Sequence, residues 1–190
     1  MTPPGSSIPP TGSCGRSRAS QARSIASKLV PHTVLLLILG VVLAAPKVTL
    51  FTWNGTPSMP EGLYLRAVWE KPAVGKIIAF TAPPAVVDYA RRCGHAGGLP
   101  LLIKPLAAGP GDHVCATDHL AINGRRVAPV LEAGPDGVPL PRWSGCRTLE
   151  PGEWFTYTSR LPNSLDGRYY GPVRETDIVG VFRPVWVSDE

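Results

Sequence analysis

Leu101-Leu102-Ile103-Lys104-Pro105, followed at 109–112 by Gly-Pro-Gly-Asp, is a short apolar run with one lysine near its end and a turn behind it. Runs of this length, bounded by Gly, Pro, Asn or Asp, have strand composition. The same pattern recurs on both sides, in Gly62-Leu63-Tyr64-Leu65-Arg66, Lys76-Ile77-Ile78-Ala79-Phe80 and Ile178-Val179-Gly180-Val181-Phe182. Pro83-Pro84, Asn123-Gly124 and Asp136-Gly137 supply hairpin and loop punctuation between the runs. The chain holds 22 Pro and 20 Gly against 17% charged residues, a mixture that serves long soluble helices poorly. The fold class expected is therefore mainly β. One short helix is expected at 85–92, where Val86, Tyr89 and Ala90 share a face. No repeat has the period of a solenoid or propeller.

Upstream of the β-rich region the character changes twice. Residues 1–28 are rich in Ser, Pro, Gly and Arg, and they lack the apolar side chains that would offset the entropy of ordering. They are expected to form a disordered basic tail. Residues 29–51 read LVPHTVLLLILGVVLAAPKVTLF, long enough for the roughly 20 residues that span a bilayer core. Arg16, Arg18, Arg23 and Lys28 precede that segment without an accompanying acid, so the positive-inside rule puts the tail in the cytoplasm and 52–190 across the membrane. The small residues of Leu43-Ala44-Ala45 also suit a cleavable signal peptide. A transmembrane anchor is favoured because the apolar stretch continues through 48–51. The expectation is a single-pass protein of the inner membrane with a periplasmic domain at 52–190.

Two residues of that domain attract chemical attention. Ser58 lies between prolines in Asn54-Gly55-Thr56-Pro57-Ser58-Met59-Pro60, a segment too constrained for a helix interior. Lys104 closes an apolar run, where burial disfavours its charged form and lowers its pKa. A neutral lysine can take a proton from a serine hydroxyl, which makes Ser-Lys pairs one form of the nucleophile-plus-base arrangement. Each residue alone has a plainer reading, Ser58 as a turn serine and Lys104 as a strand-end lysine with its ammonium in water. Composition does not bring the two together.

Three segments in order do supply a connection. Thr56-Pro57-Ser58-Met59-Pro60 resembles the serine box of signal peptidase I proteins, and Leu102-Ile103-Lys104 with Pro110-Gly111-Asp112-His113-Val114 resembles their lysine box. Asn163-Ser164-Leu165-Asp166-Gly167-Arg168-Tyr169-Tyr170-Gly171-Pro172-Val173 is similar to the third box of the same family. Ordered agreement over 56–173 is far more specific than one motif. Within the clan the chain most resembles the TraF-type peptidases of conjugative transfer, with Pro57 before the serine and Gly62-Leu63-Tyr64 after it. The housekeeping signal peptidase typically has arginine after the lysine, where this chain has Pro105. It also has Gly-Asp-Asn where this chain has Thr158-Ser159-Arg160.

The resemblance implies a signal-peptidase-like antiparallel β fold, with Ser58 as nucleophile and Lys104 as general base. It implies the Ser58 N–H and the Thr56 hydroxyl as oxyanion donors, and Ser164 as a hydrogen-bond partner of the lysine amine. Asp166 and Arg168 are implied to form a supporting ion pair, with a more direct part for Asp166 as the alternative, and Gly111-Asp112 a turn that fixes the lysine strand. The substrate implied is a pilin or other secretory precursor, cut after small residues. The acyl-enzyme is open to capture by water or by the substrate's own amino terminus. The alternatives are a housekeeping signal peptidase and a non-catalytic envelope-anchored β-domain.

His32, His95, His113 and His119 fall outside these roles. Cys14 lies in the tail, and Cys93, Cys115 and Cys146 lie in the exported domain, whose oxidising surroundings permit one disulfide. Cys115 with Cys146 is favoured because both flank strand-like runs, although the sequence leaves the pairing open. His113, Cys115 and His119 invite a zinc reading, but neither Cys-x-x-Cys nor His-Glu-x-x-His is present, and no metal or cofactor is expected. The net charge of +5 brings no basic stripe with interleaved aromatics, so no nucleic-acid partner is expected.

Overall fold

The computed structural model describes residues 34–36, 48–94, 100–135 and 137–188. The expected tail, most of the expected anchor and His95 lie outside them. The chain divides into two compact units, Met1–Val48 and Thr49–Glu190. Of the first, residues 34–36 are helical. Among the described residues no helix is long and apolar enough to cross a membrane.

The second unit is mainly β, in two antiparallel sheets. The larger sheet is built from β1 (Phe51–Asn54), β2 (Gly62–Arg66), β3 (Ile77–Thr81), β4 (Leu101–Ala108), β9 (Glu153–Thr156), β10 (Val173–Arg174) and β11 (Ile178–Val187). Its spatial order is β1-β2-β11-β3-β4-β9-β10. The smaller sheet takes β5 (His113–Ala116), β6 (His119–Ile122), β7 (Arg125–Pro129) and β8 (Gly145–Thr148), in the order β7-β6-β5-β8. The middle of the chain thus forms its own sheet between β4 and β9. Asn123 and Gly124, with φ of 49° and 77°, join β6 to β7 in a two-residue turn that needs left-handed backbone at both positions. Gly124 meets that need without a Cβ.

The expected helix is present as α1 (Pro84–Arg92), with proline in its first turn and Arg91 and Arg92 in its last. Val86 and Ala90, four residues apart, are its buried positions. Val86 joins a core of Ile78, Phe80, Leu102, Leu106, Val173 and Val181. The opposite face of the same strands packs Tyr64, Ala79, Ile103 and Phe182. Side chains alternate along a strand, so Lys104 shares the face of Leu102 and Leu106. An ammonium at that position replaces an aliphatic side chain in an apolar row.

Three features depart from the simple strand reading. Pro105 lies inside β4, opposite Ile77, and Pro184 lies inside β11 beside an irregularity in register. A strand can hold proline where its missing N–H is not needed or where a bulge interrupts the ladder. The third box contains a helical turn, α2 (Gly167–Tyr170), capped by the Asp166 side chain on the Arg168 N–H.

Candidate active site

β1 and β2 pair antiparallel from Phe51↔Leu65 to Asn54↔Gly62, and the intervening loop carries Ser58. Pro57 and Pro60 limit the backbone on both sides of the serine. The loop carbonyls find side-chain donors in place of a strand ladder. Asn54 Nδ2 donates to the carbonyls of Thr56, Met59 and Pro60 at 2.9, 3.0 and 3.1 Å. Arg160 Nε donates to the Pro57 carbonyl at 3.2 Å, Thr158 Oγ1 to the Ser58 carbonyl at 3.2 Å, and the Tyr64 hydroxyl to the Pro60 carbonyl at 2.8 Å. The Thr56 hydroxyl donates to Asn54 Oδ1 at 2.9 Å and lies 3.2 Å from Ser58 Oγ.

β4 brings the lysine to this loop. Lys104 Nζ donates to Ser58 Oγ and, at 2.9 Å, to Ser164 Oγ. Ser58 and Lys104 are only 5% and 4% exposed, so little water reaches the contact. Burial lowers the Lys104 pKa to about 8, with Asp166 pulling it up and Arg168 pushing it further down. Two hydroxyls around one desolvated amine can exchange a proton with it and orient its lone pair.

Behind Ser164 lies a buried charge pair. Arg168 Nε donates to Asp166 Oδ1 at 2.8 Å and Arg168 Nη2 to Asp166 Oδ2 at 3.0 Å, a fork on a carboxylate with no exposed surface. The remaining donors of the guanidinium reach the carbonyls of Pro129, Pro162 and Ser164 at 3.0, 3.0 and 3.1 Å. Burial pushes the Asp166 carboxyl up while the Arg168 guanidinium pulls the other way. The Thr158 N–H donates to Asp166 Oδ2 at 3.4 Å, joining the pair to the residue that holds the Ser58 carbonyl.

Two cavities flank the pair. One of about 160 Å³ is lined by Thr56, Ser58, Leu102, Lys104, Leu161 and Leu165, and one of about 270 Å³ opens between β1 and β4 beside Trp53 and Ile103. Ser58, Lys104, Thr56, Ser164, Asp166 and Arg168 therefore all belong to one connected set of contacts. Cys115, the thiolate of the zinc reading, is bonded to Cys146 directly across β5 and β8, and Cys93 is free. The His119 ring pairs with Asp118 through Nδ1 at 2.8 Å. Among the described residues no three His, Cys, Asp or Glu side chains form a metal-binding group.

Comparison with known proteins matches residues 22–187 to the family described as signal peptidase, peptidase S26. The chain belongs to that family. A conjugal transfer protein TraF of Agrobacterium tumefaciens (strain 15955) is 38% identical over 145 residues, covering 70% of this chain and 80% of the relative. A plasmid transfer protein TraF of Escherichia coli is 36% identical over 164 residues, covering 80% and 88%. A signal peptidase I structure from Enterococcus faecalis has 22% identity and a TM-score of 0.35 over 59% of this chain and 97% of its own, a likeness too slight to add weight. In this member of the S26 family Pro105 leaves Lys104 within a continuous β4. Thr158, which stands in the segment where the housekeeping pattern differs, is a direct support of the Ser58 backbone.

Sequence reasoning missed Asn54 and Thr158. Asn54-Gly55 carries the ordinary signal of a turn, and nothing local marks the asparagine as the donor to carbonyls two, five and six residues ahead. Thr158 reaches Ser58 across 100 residues of sequence, a contact that no spacing rule exposes.

Proposed function

We propose that the chain is a membrane-anchored serine endopeptidase that cleaves exported precursors, with Ser58 as nucleophile and Lys104 as general base. The observation that carries the reading is the contact of Lys104 Nζ with Ser58 Oγ and Ser164 Oγ on the apolar face of β4. Once Lys104 has lost its ammonium proton, its lone pair accepts the proton of Ser58 while Oγ bonds to the scissile carbonyl carbon. The Ser58 N–H and the Thr56 hydroxyl are the donors offered to the resulting oxyanion, and one such donor is worth about 2.7–4 kcal/mol in the transition state. To serve there, the Thr56 proton turns from Asn54 Oδ1 to the oxyanion. Collapse breaks the C–N bond, and Lys104 returns its proton to the departing amine.

Lys104 then removes a proton from water as it attacks the acyl ester, restoring Ser58 and releasing the acid. An amine reaching the same ester in place of water forms a peptide bond, so hydrolysis and cyclisation share one intermediate. A cavity of about 160 Å³ beside the nucleophile suits small side chains at the cleavage site. The likeness to conjugal and plasmid transfer proteins supports a substrate belonging to conjugative transfer, for which a pilin precursor is our choice, and the basic flank of 29–51 supports a periplasmic domain.

The test is co-expression with a pilin precursor and with a general secretory precursor, followed by product masses for wild type, Ser58→Ala and Lys104→Ala. Processing by wild type and by neither variant is expected. A pilin product one water lighter than its linear form identifies cyclisation. Processing of the general precursor alone points to housekeeping activity, and equal processing by all three proteins defeats the Ser-Lys reading.

A further inference from the structure

The loop that carries Ser58 has an unusual accounting of backbone groups. Each of its five consecutive carbonyls, from Thr56 to Pro60, accepts a hydrogen bond from a side chain, and Asn54 supplies three of the bonds. Pro57 and Pro60 have no N–H, which leaves those of Thr56, Ser58 and Met59. Thr56 N–H donates to Asn54 Oδ1 at 3.3 Å and Met59 N–H to the Thr56 carbonyl at 3.4 Å. Among the described residues the Ser58 N–H has no partner. The loop thus turns its acceptors into side-chain donors and leaves one donor at the nucleophile.

We propose that Asn54 is the positioning residue that produces this arrangement for acyl transfer at Ser58, an inference that rests on the function proposed above. A carbonyl oxygen facing the reaction would repel a developing oxyanion, whereas a fixed N–H stabilises it without reorganisation. Asn54 shares its two amide protons among three carbonyls, and its Oδ1 accepts from both the N–H and the hydroxyl of Thr56. It therefore sets the loop path and holds the Thr56 side chain beside Ser58, its hydroxyl proton resting on Oδ1 until an oxyanion forms. The planar amide is suited to this because it carries donors and an acceptor on one rigid group. Asn54 is 6% exposed and anchored at the end of β1 opposite Gly62, so its three hydrogen bonds hold the loop from a strand.

The experiment uses the full chain in detergent micelles with acetyl-Ala-Ala-Ala p-nitrophenyl ester as probe. The amplitude of the p-nitrophenolate burst counts competent sites, and its rate constant reports acylation at each. For Asn54→Ala the expectation is a full-amplitude burst slower by about ten- to a hundredfold, with KM little changed. Asn54→Asp keeps the acceptor but has a donor only while the introduced carboxyl is neutral. Its rate relative to wild type should fall as pH rises through that ionisation, while the ratio for Asn54→Ala stays flat. A wild-type rate constant in Asn54→Ala, whatever the amplitude, overturns the inference, because a merely structural asparagine would alter the number of competent sites alone. A flat ratio for Asn54→Asp also overturns it. A burst in Ser58→Ala or Lys104→Ala defeats the proposed function itself, so the two failures are distinguishable.

Discussion

At the residue scale, the proposed chemistry turns on how little water Lys104 sees. An ordinary lysine titrates at about 10.4, so at neutral pH only about one in 2,500 is neutral. Burial brings Lys104 to about 8, and the neutral fraction near pH 7 becomes about a tenth. On the proposed function the base is the deprotonated form, so kcat/KM on a peptide ester should rise about tenfold per unit below pH 8 and level off above it. Asp166 contributes in the opposite direction, since its negative charge favours the ammonium. Asp166→Asn should therefore move the rise to lower pH. The same change leaves Arg168 as an uncompensated buried charge and costs about 3–5 kcal/mol of stability, but the position of the limb does not depend on how much enzyme is folded. A limb that stays in place or moves upward would show that Asp166 does not act on Lys104 through charge.

At the scale of elements, the sequence revealed local signals better than long-range partners. Asn123-Gly124 marks the turn between β6 and β7, proline marks the start of α1, and the apolar run at 101–105 marks β4, all through chemistry contained within a few residues. The extent of β4 and β11 beyond Pro105 and Pro184 was not legible, because a proline's missing N–H matters only once the neighbouring strand is known. Nor did the sequence reveal the separate sheet at the middle of the chain. Its pairing of β5 with both β6 and β8 depends on a partner about thirty residues away, and the Cys115–Cys146 bond marks that choice. β8 is a four-residue edge strand paired along its length with β5, and the disulfide adds a covalent tie across that ladder. Cys146→Ser should lower unfolding stability by about 2–4 kcal/mol in denaturant titrations while leaving the acylation rate at 25 °C within about twofold. An unchanged midpoint would mean that the β5–β8 ladder holds without the bond.

At the scale of the folded unit, one guanidinium ties the smaller sheet to the site. Arg168 Nη1 reaches the carbonyl of Pro129 at the end of β7, while its other contacts hold Pro162, Ser164 and Asp166 around the lysine. The Leu131 N–H donates to the Tyr169 hydroxyl at 3.3 Å, a second tie beside the first. The rings of Tyr157 and Tyr169 each lie 5.2 Å from the guanidinium carbon, which reduces the cost of burying the charge. Lysine keeps the charge but offers three donors around one atom, so it cannot span the carboxylate fork and the three carbonyls together. Arg168→Lys should therefore cost about 1–3 kcal/mol for each buried acceptor it leaves unpaired, read as a lower denaturant midpoint, despite preserving net charge. The loss of acylation and the change in tryptophan fluorescence should coincide in one transition, because the same side chain holds both regions. A variant whose stability falls by less than about 0.5 kcal/mol would show that the guanidinium fork is dispensable, and the coupling of the smaller sheet to Ser164 would have to run through other contacts.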